Sequence, residues 1–357
     1  MIDKKKILVV DFNGTSPTYT YYFVKGLIDA GMYVKVLGKK NNRFIDVHNY
    51  QEKYLGLNSR YKYLNYLLNW IYLFFLSKKY KAIHFQWLPM LNYSGVEFFL
   101  VKILKSFNSN IFYTIHNFYP HGCNDDLIKK RYIRLYNLMD NFIIHTQSTK
   151  EKFVKNIFIK KNFILINHGL FYSEFSSLIT KQEGINLLIL GHIMPYKGVE
   201  DAISAVRIIL NKGIKINLRI KGKCNKKYYL KLIKHIAKLK VSKNVIITDY
   251  FIEVDELIQS YKESSLCIMP YREIEQSGVL YTSIGLGIPV VSYDVGGISE
   301  KITHRINGSI VPRNNIEKLA QEVEWCYSNL AILKQNISDE QDIDYWKKNG
   351  DELMKVY

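Results

Sequence analysis

Short runs of buried-type residues, each closed by a polar turn, recur along the whole chain and alternate with longer stretches whose apolar positions repeat at helical spacing. The short runs fall at 7–10, 33–37, 82–85, 111–115, 141–145 and 163–166, and again at 185–190, 216–220, 245–248, 266–269, 289–293 and 309–311. Helices are predicted at 21–30, 96–107, 226–239, 254–263, 279–286 and 316–328, with another starting near Val199. Strand, helix and strand in turn is the pattern of doubly wound α/β domains. At 357 residues the chain is long enough for two of them. The polar stretch 173–183 suits a linker, giving a first domain at 1–172, a second at 184–340 and a closing helix within 341–357.

One stretch does not fit a plain sheet-covering helix. Residues 53–79 interleave Tyr, Trp, Phe and Lys with leucines, an apolar body with basic and aromatic flanks that suits a membrane surface. The other reading is a helix packed on the first sheet, with Lys78, Lys79 and Lys81 still able to meet lipid headgroups. Its apolar core, 63–76, is too short and too interrupted by Asn to span a bilayer.

Composition narrows the class. With 48% hydrophobic residues and charge well spread, the chain is globular and not disordered. The formal net charge of +18 points to an anionic partner: nucleic acid, a membrane face or a phosphorylated substrate. Dispersed lysine without an arginine stripe, zinc finger or RNA-recognition motif argues against nucleic acid. Cys123, Cys224, Cys267 and Cys326 show neither paired nor metal-type spacing. With no signal-peptide pattern at the start, a reducing cytoplasm is the expected setting.

The candidate chemistry lies in the turns. Gln276, Ser277 and Gly278 precede a predicted helix that begins near Val279, so backbone N–H groups and the positive helix end point outward as an anion site. Lys197, between glycines at another helix start, is a second anion site, and Lys221 or Lys223, in the turn around Gly222, is a spare cation that could reinforce it. In the first domain Gly14, Thr15 and Thr18 follow the first strand, where open α/β sheets bind ligands. Thr18 or Thr20 serves equally well as the cap of the next helix. The dehydrogenase glycine fingerprint is missing from this turn, which argues against NAD. His116 closes the strand at 111–115 and suits proton handling or hydrogen bonding to hydroxyls, although a lone histidine is more often a core contact. His121 follows in the same loop as an acceptor candidate.

The segment Gly287-Ile-Pro-Val-Val291, with Gly296-Gly-Ile-Ser-Glu300 after it, resembles the donor-binding region of family-4-type glycosyltransferases of the GT-B class, the glycosyl transferases group 1, in a Gln-Ser-Gly-Val variant. The resemblance implies two facing Rossmann-like domains with a C-terminal helix returning to the first. It also implies a retaining transfer of sugar from a nucleotide diphosphate sugar, without a cofactor. On this likeness Lys197 clamps the diphosphate, with His192 where the family carries arginine. Gly222, Gln276, Ser277, Gly278 and Val279 bind the donor, and Thr282 stands where a glutamate usually meets the ribose. Glu275, or Glu273 beside it, holds the donor sugar, and His116 is the active-site histidine. Residues 249–252 lie near the nucleobase, and Gly14, Thr15, Thr18 and His121 face the acceptor. No Asp-x-Asp box stands at a strand end, so no metal is expected. A basic, aromatic-rich surface suggests a saccharide or polyprenyl-linked acceptor, contact with an anionic membrane, and capsule or exopolysaccharide assembly. The alternatives are an epimerase or phosphorylase on the same scaffold, or a non-catalytic subunit that binds nucleotide or lipid.

Overall fold

The apolar runs form strands in two parallel sheets. The first contains β1 (Lys6–Asp11), β2 (Tyr33–Gly38), β3 (Tyr54–Leu55), β4 (Ala82–Phe85), β5 (Ile111–Thr114), β6 (Asn141–Ile144) and β7 (Asn162–Leu165), in the order β3-β2-β1-β4-β5-β6-β7. The second contains β8 (Ile185–Leu190), β9 (Ile216–Lys221), β10 (Val245–Thr248), β11 (Leu266–Met269), β12 (Val290–Tyr293) and β13 (Gly308–Val311), in the order β10-β9-β8-β11-β12-β13. These come from a computed structural model that describes residues 5–38, 54–55, 62–108, 110–120, 123, 125–157, 161–178, 184–341 and 343–357. Each order reverses beside its first strand, between β1 and β4 and between β8 and β11. Loops leaving the carboxyl ends of those strands diverge there and leave room for a ligand.

The chain divides into two compact units, Met1–Gly169 with Asp344–Tyr357, and Leu170–Ile343. In the first, α2 (Lys62–Ser77), α3 (Val96–Phe107), α4 (Asp126–Leu138) and α5 (Gln147–Asn156) bury Trp70, Leu104, Tyr136 and Phe153 against one sheet face. The other face is covered by α1 (Pro17–Asp29) and α12 (Tyr345–Val356), whose Phe23 and Tyr357 pack on His84 of β4. In the second unit α6 (Val199–Asn211), α7 (Lys226–Lys238), α8 (Val254–Lys262), α9 (Gly278–Gly285), α10 (Ile316–Ser328) and α11 (Leu330–Gln341) surround a core built on Ile189, Leu218, Ile268 and Val291.

The returning C-terminal helix is as expected, and glycines explain how it docks. A β-carbon on Gly350 would lie 2.2 Å from the Gly26 carbonyl oxygen, and one on Gly26 would lie 2.2 Å from the Trp346 carbonyl oxygen. Backbone meets backbone where α1 and α12 cross. Trp346 then stacks on Tyr22 with ring centroids 6.0 Å apart.

Several boundaries differ from expectation. Helix α1 starts at Pro17, not Tyr21, because a proline at the first helical position has its φ preset and no N–H to lose. Thr18 and Thr20 therefore lie inside the helix and neither caps it. Helices α4 and α5 were not anticipated: their faces are charge-dense, and their starts are fixed instead by caps. The Asp125 carboxylate accepts from the amides of Leu127 and Ile128, and the Thr146 hydroxyl from that of Thr149. Of the linker at 173–183, residues 173–178 form a short helical turn in the second unit and the remainder lies outside the described residues.

If the α1–α12 crossing needs bare backbone, Gly350→Val should destabilise the first unit by about 1–3 kcal/mol and speed proteolytic removal of the tail. Urea unfolding followed by fluorescence checks this, and an unchanged midpoint would reject it.

Candidate functional site

In the second unit the turn between β8 and α6 is fastened to the exit of β11. The Arg272 amide donates to the Tyr196 carbonyl at 2.7 Å. Gly198, at φ 62°, approaches so closely that a β-carbon there would lie 2.0 Å from the Pro270 carbonyl oxygen. Between these points Lys197 is buried, its Nζ donating to the Leu190 carbonyl at 2.7 Å and to the Tyr271 hydroxyl at 3.0 Å. Among the described residues it has no carboxylate partner. Burial without a counter-ion pushes its pKa down to about 8.

The same point receives the start of α9. A β-carbon on Gly191 would lie 3.1 Å from Lys197 Nζ and 3.5 Å from Val279 Cγ2, so the bare glycine keeps that approach to the ammonium unfilled. Ser277, the residue before α9, is buried and hydrogen-bonded to Tyr271. Gly278 is exposed, and a β-carbon there would meet only Phe171 at 3.7 Å, so packing within the unit does not demand glycine. Gln276 carries a buried Nε2 with no partner. Glu275 is half-buried, and its carbonyl accepts from the Gly297 amide at 3.1 Å, while Glu273 is exposed. Thr282 is buried within α9, and His192 is exposed on the lysine turn. Gly222 acts through space: a β-carbon would lie 2.0 Å from the Gly191 carbonyl oxygen. Its neighbours, expected as spare cations for the clamp, are already compensated, Lys221 by Glu256 at 3.0 Å and Lys223 by Asp249 at 3.2 Å.

The first unit has its own cluster beyond β1 and β4. Buried Asp11 accepts from the Thr20 hydroxyl at 2.8 Å and the Thr15 amide at 3.1 Å, and its carbonyl accepts from the Gly14 amide at 3.2 Å. Burial raises its pKa against those hydrogen bonds. This acid, which sequence reasoning passed over, holds Gly14 and Thr15 in place, with Thr18 half-buried on the first turn of α1. A pocket of about 210 Å³ is lined by Thr15, Trp87, Asn92, His116, Asn117 and Tyr132, among others. The His116 ring stacks on Trp87 with centroids 4.7 Å apart, and its Nε2 lies 3.3 Å from Gln86 Oε1. Burial, with His145 and His84 nearby, holds its pKa well below the ordinary value, so the imidazole is neutral.

Three polar atoms around this pocket are buried and unpartnered: Gln86 Nε2, Trp87 Nε1 and Asn117 Oδ1. Such atoms are rare in native folds and each needs an explanation. Trp70 Nε1 and Glu97 Oε2 are also unpartnered in this unit's core, so it is the grouping of Trp87 and Asn117 on one pocket wall that points to a ligand. By contrast His84 and His145 are satisfied core residues. His84 lies 2.6 Å from Thr114 Oγ1, and His145 lies 2.8 Å from the Tyr19 hydroxyl. Burial pushes them down to about 3 and about 4. His121 lies outside the described residues. Among the described residues no group of three His, Cys, Asp or Glu side chains could hold a metal ion.

Residues 173–341, which include the lysine turn and α9, match the family model of glycosyl transferases group 1. The chain as a whole has the two-domain GT-B fold. Over 180 residues it is 22% identical to an uncharacterized glycosyltransferase of Haemophilus influenzae, covering 47% of this chain and 50% of that protein. It is 21% identical over 198 residues to CapM, a capsular polysaccharide biosynthesis glycosyltransferase of Staphylococcus aureus, covering 52% of this chain and 51% of CapM. The chain thus spans about half the length of the curated relatives it matches. Anabaena HepE, solved in complex with UDP, shares the fold with a TM-score of 0.73 and 13% identity over 99% of this chain and 98% of HepE. HepE has also been solved with UDP-glucose.

The Lys197 environment carries a pH signature. Its pKa is about 8 in the folded chain against an ordinary 10.5, so across that window the unfolded state binds the extra proton and stability rises with pH. Lys197→Met should abolish that rise, and chemical denaturation at neutral and alkaline pH measures it.

Proposed function

We propose that the protein is a glycosyltransferase moving a sugar from a nucleotide diphosphate sugar to a hydroxyl of a saccharide acceptor, with the anomeric configuration retained. The observation that carries this reading is Lys197, a buried ammonium with no carboxylate beside it among the described residues. An uncompensated buried charge is unfavourable, and a diphosphate supplies the missing negative charge. The amides of Gly278 and Val279 have no preceding helical turn to bond to, and together with the helix dipole they add donors for the same anion.

In the reaction the bond from the anomeric carbon to the diphosphate oxygen breaks as the acceptor oxygen bonds to that carbon. The acceptor proton leaves with the diphosphate. Lys197 and the amides of α9 stabilise charge growing on the leaving group, so no metal ion is needed in this scheme. Glu275 holds the donor sugar hydroxyls, Gln276 contributes its unpartnered amide, and Ser277, Thr282, Gly222 and His192 complete the donor region. Neutral His116 serves as a hydrogen-bonding group for the acceptor, which the first-unit pocket it shares with Trp87 and Asn117 takes. The UDP and UDP-glucose complexes of HepE support uridine as the base, and the likeness to CapM, a capsular polysaccharide biosynthesis glycosyltransferase, supports a role in making a surface polysaccharide. A subunit that binds nucleotide without turnover is the second reading, favoured by the burial of Thr282 where a ribose contact was expected.

Calorimetry with UDP and a panel of nucleotide sugars followed for slow donor hydrolysis tests both readings. Lys197→Ala should weaken UDP binding by roughly 10- to 100-fold. Glu275→Ala should leave UDP binding nearly intact and lower kcat by about two orders of magnitude. Unaltered UDP affinity in Lys197→Ala would remove the basis for the assignment, and binding without any hydrolysis would select the second reading.

A further inference from the structure

We infer that the outer face of α2 and α3 docks the first unit on an anionic lipid bilayer. Both helices bury one side in the first unit's core and leave apolar side chains on the other. On α2 these are Ile71, 50% exposed, and Phe75, 74% exposed; on α3 they are Phe99, 59%, and Ile103, 49%. Along each helix they recur every four residues, forming a stripe, and the helices pack side by side through Phe74 and Phe107, with ring centroids 5.9 Å apart. Two adjoining stripes make a broad apolar surface, which soluble proteins seldom leave uncovered.

Charge identifies what covers it. Between Glu52 and Asp125 the only acidic residue is Glu97, and that residue is buried, accepting a hydrogen bond from the Tyr66 hydroxyl. Lys78, Lys79, Lys81 and Lys102 are exposed around the stripes, and Lys78 Nζ sits 5.6 Å from the Phe107 ring centroid. A second copy of the chain would place these lysines against one another with no exposed acid to pair them. A bilayer bearing anionic headgroups accepts both the phenylalanines and the lysines. Among the described residues no helix is long and apolar enough to cross a membrane, so the contact is with the interface.

The surface also adjoins the proposed acceptor pocket. The turn Pro89–Asn92 supplies Pro89 and Asn92 to the pocket wall and leads directly through exposed Tyr93 into α3. Docking there sets lipid beside the pocket, which, resting on the transferase reading, makes the acceptor a saccharide carried on membrane lipid.

The test compares full-length wild type with Phe75→Asp/Phe99→Asp in co-sedimentation with vesicles of phosphatidylcholine alone and of phosphatidylcholine mixed with phosphatidylglycerol. Wild type should bind the anionic vesicles at least tenfold more tightly than the neutral ones, and less tightly as salt rises. The double variant should lose at least tenfold on anionic vesicles, with circular dichroism and donor hydrolysis without vesicles unchanged. Should it fail to fold, Lys78→Glu/Lys79→Glu decides by the same loss. No binding, equal binding to both vesicle types, binding that the substitutions leave intact, or a wild-type dimer that the double variant splits would each overturn the proposal. Vesicle binding is read without turnover, so loss of hydrolysis with docking retained tells against the enzymatic reading alone.

Discussion

A positive charge held out of water, with no acid beside it among the described residues, is the constraint from which the local structure around the second unit's lysine turn follows. Lys197 is placed by three things that need one another: a left-handed Gly198 against the Pro270 carbonyl, the Arg272 amide on Tyr196, and the Tyr271 hydroxyl on Nζ. The first two are backbone contacts that join the β8 turn to the end of β11, and they fix where the ammonium sits. Because β8 and β11 are neighbours at the point where strand order reverses, the same joining delivers α9. Its valine and the lysine both come within 3.5 Å of where a β-carbon on Gly191 would lie. The buried ammonium works against the stability of the unit, since its two hydrogen bonds go to neutral oxygens and leave the charge uncompensated. That is the signature of a site shaped for something other than folding.

The first unit shows the opposite treatment of buried polar groups, and the contrast separates core from site. Asp11, His84 and His145 all lie in the interior, and each is matched: Asp11 by Thr20 and the Thr15 amide, His84 by Thr114, His145 by Tyr19. Burial keeps both histidines neutral, so the matching is complete without charge. In the turns that follow β4 and β5, Gln86, Trp87 and Asn117 each leave one buried atom unmatched, and His116 stacks on Trp87. Of the three unsatisfied atoms, those of Trp87 and Asn117 belong to residues that line one pocket, with Gln86 next to them in sequence, and that grouping is a property of the pocket.

Much of this was legible in the sequence, for a physical reason. Inner strands of a parallel sheet are covered on both sides, so the runs at 82–85, 185–190 and 266–269 stood out and coincide with β4, β8 and β11. The Gly-x-Pro-Val-Val and Gly-Gly-x-x-Glu segments located the family because they are local in the chain. What stayed hidden depends on partners distant in sequence. Lys221 and Lys223 read as spare cations, and only the fold brings Glu256 and Asp249 to them. Trp87 and Asn117 drew no attention because an unmatched atom has meaning only once its surroundings are known. Helices α4 and α5 were missed for a different reason, their polar faces outweighing the caps at Asp125 and Thr146.

The surplus of positive charge has to be explained separately from the donor region, because charge acts over a limited distance. At physiological ionic strength an exposed charge is screened beyond about 8 Å. Lysines scattered over a surface therefore add little to the hold on one diphosphate, and the two nearest in type to the clamp are already paired. The long stretch whose only acid is buried in the core is a different matter. Opposite an extended anionic plane each exposed lysine acts on its own patch of headgroups, at about 1 kcal/mol apiece, and the contributions accumulate where a small ligand could not gather them. Beside lysines of this kind, an exposed Phe75 and Phe99 are no longer solubility defects, since the same plane that attracts the charge has an apolar layer beneath it to receive the rings.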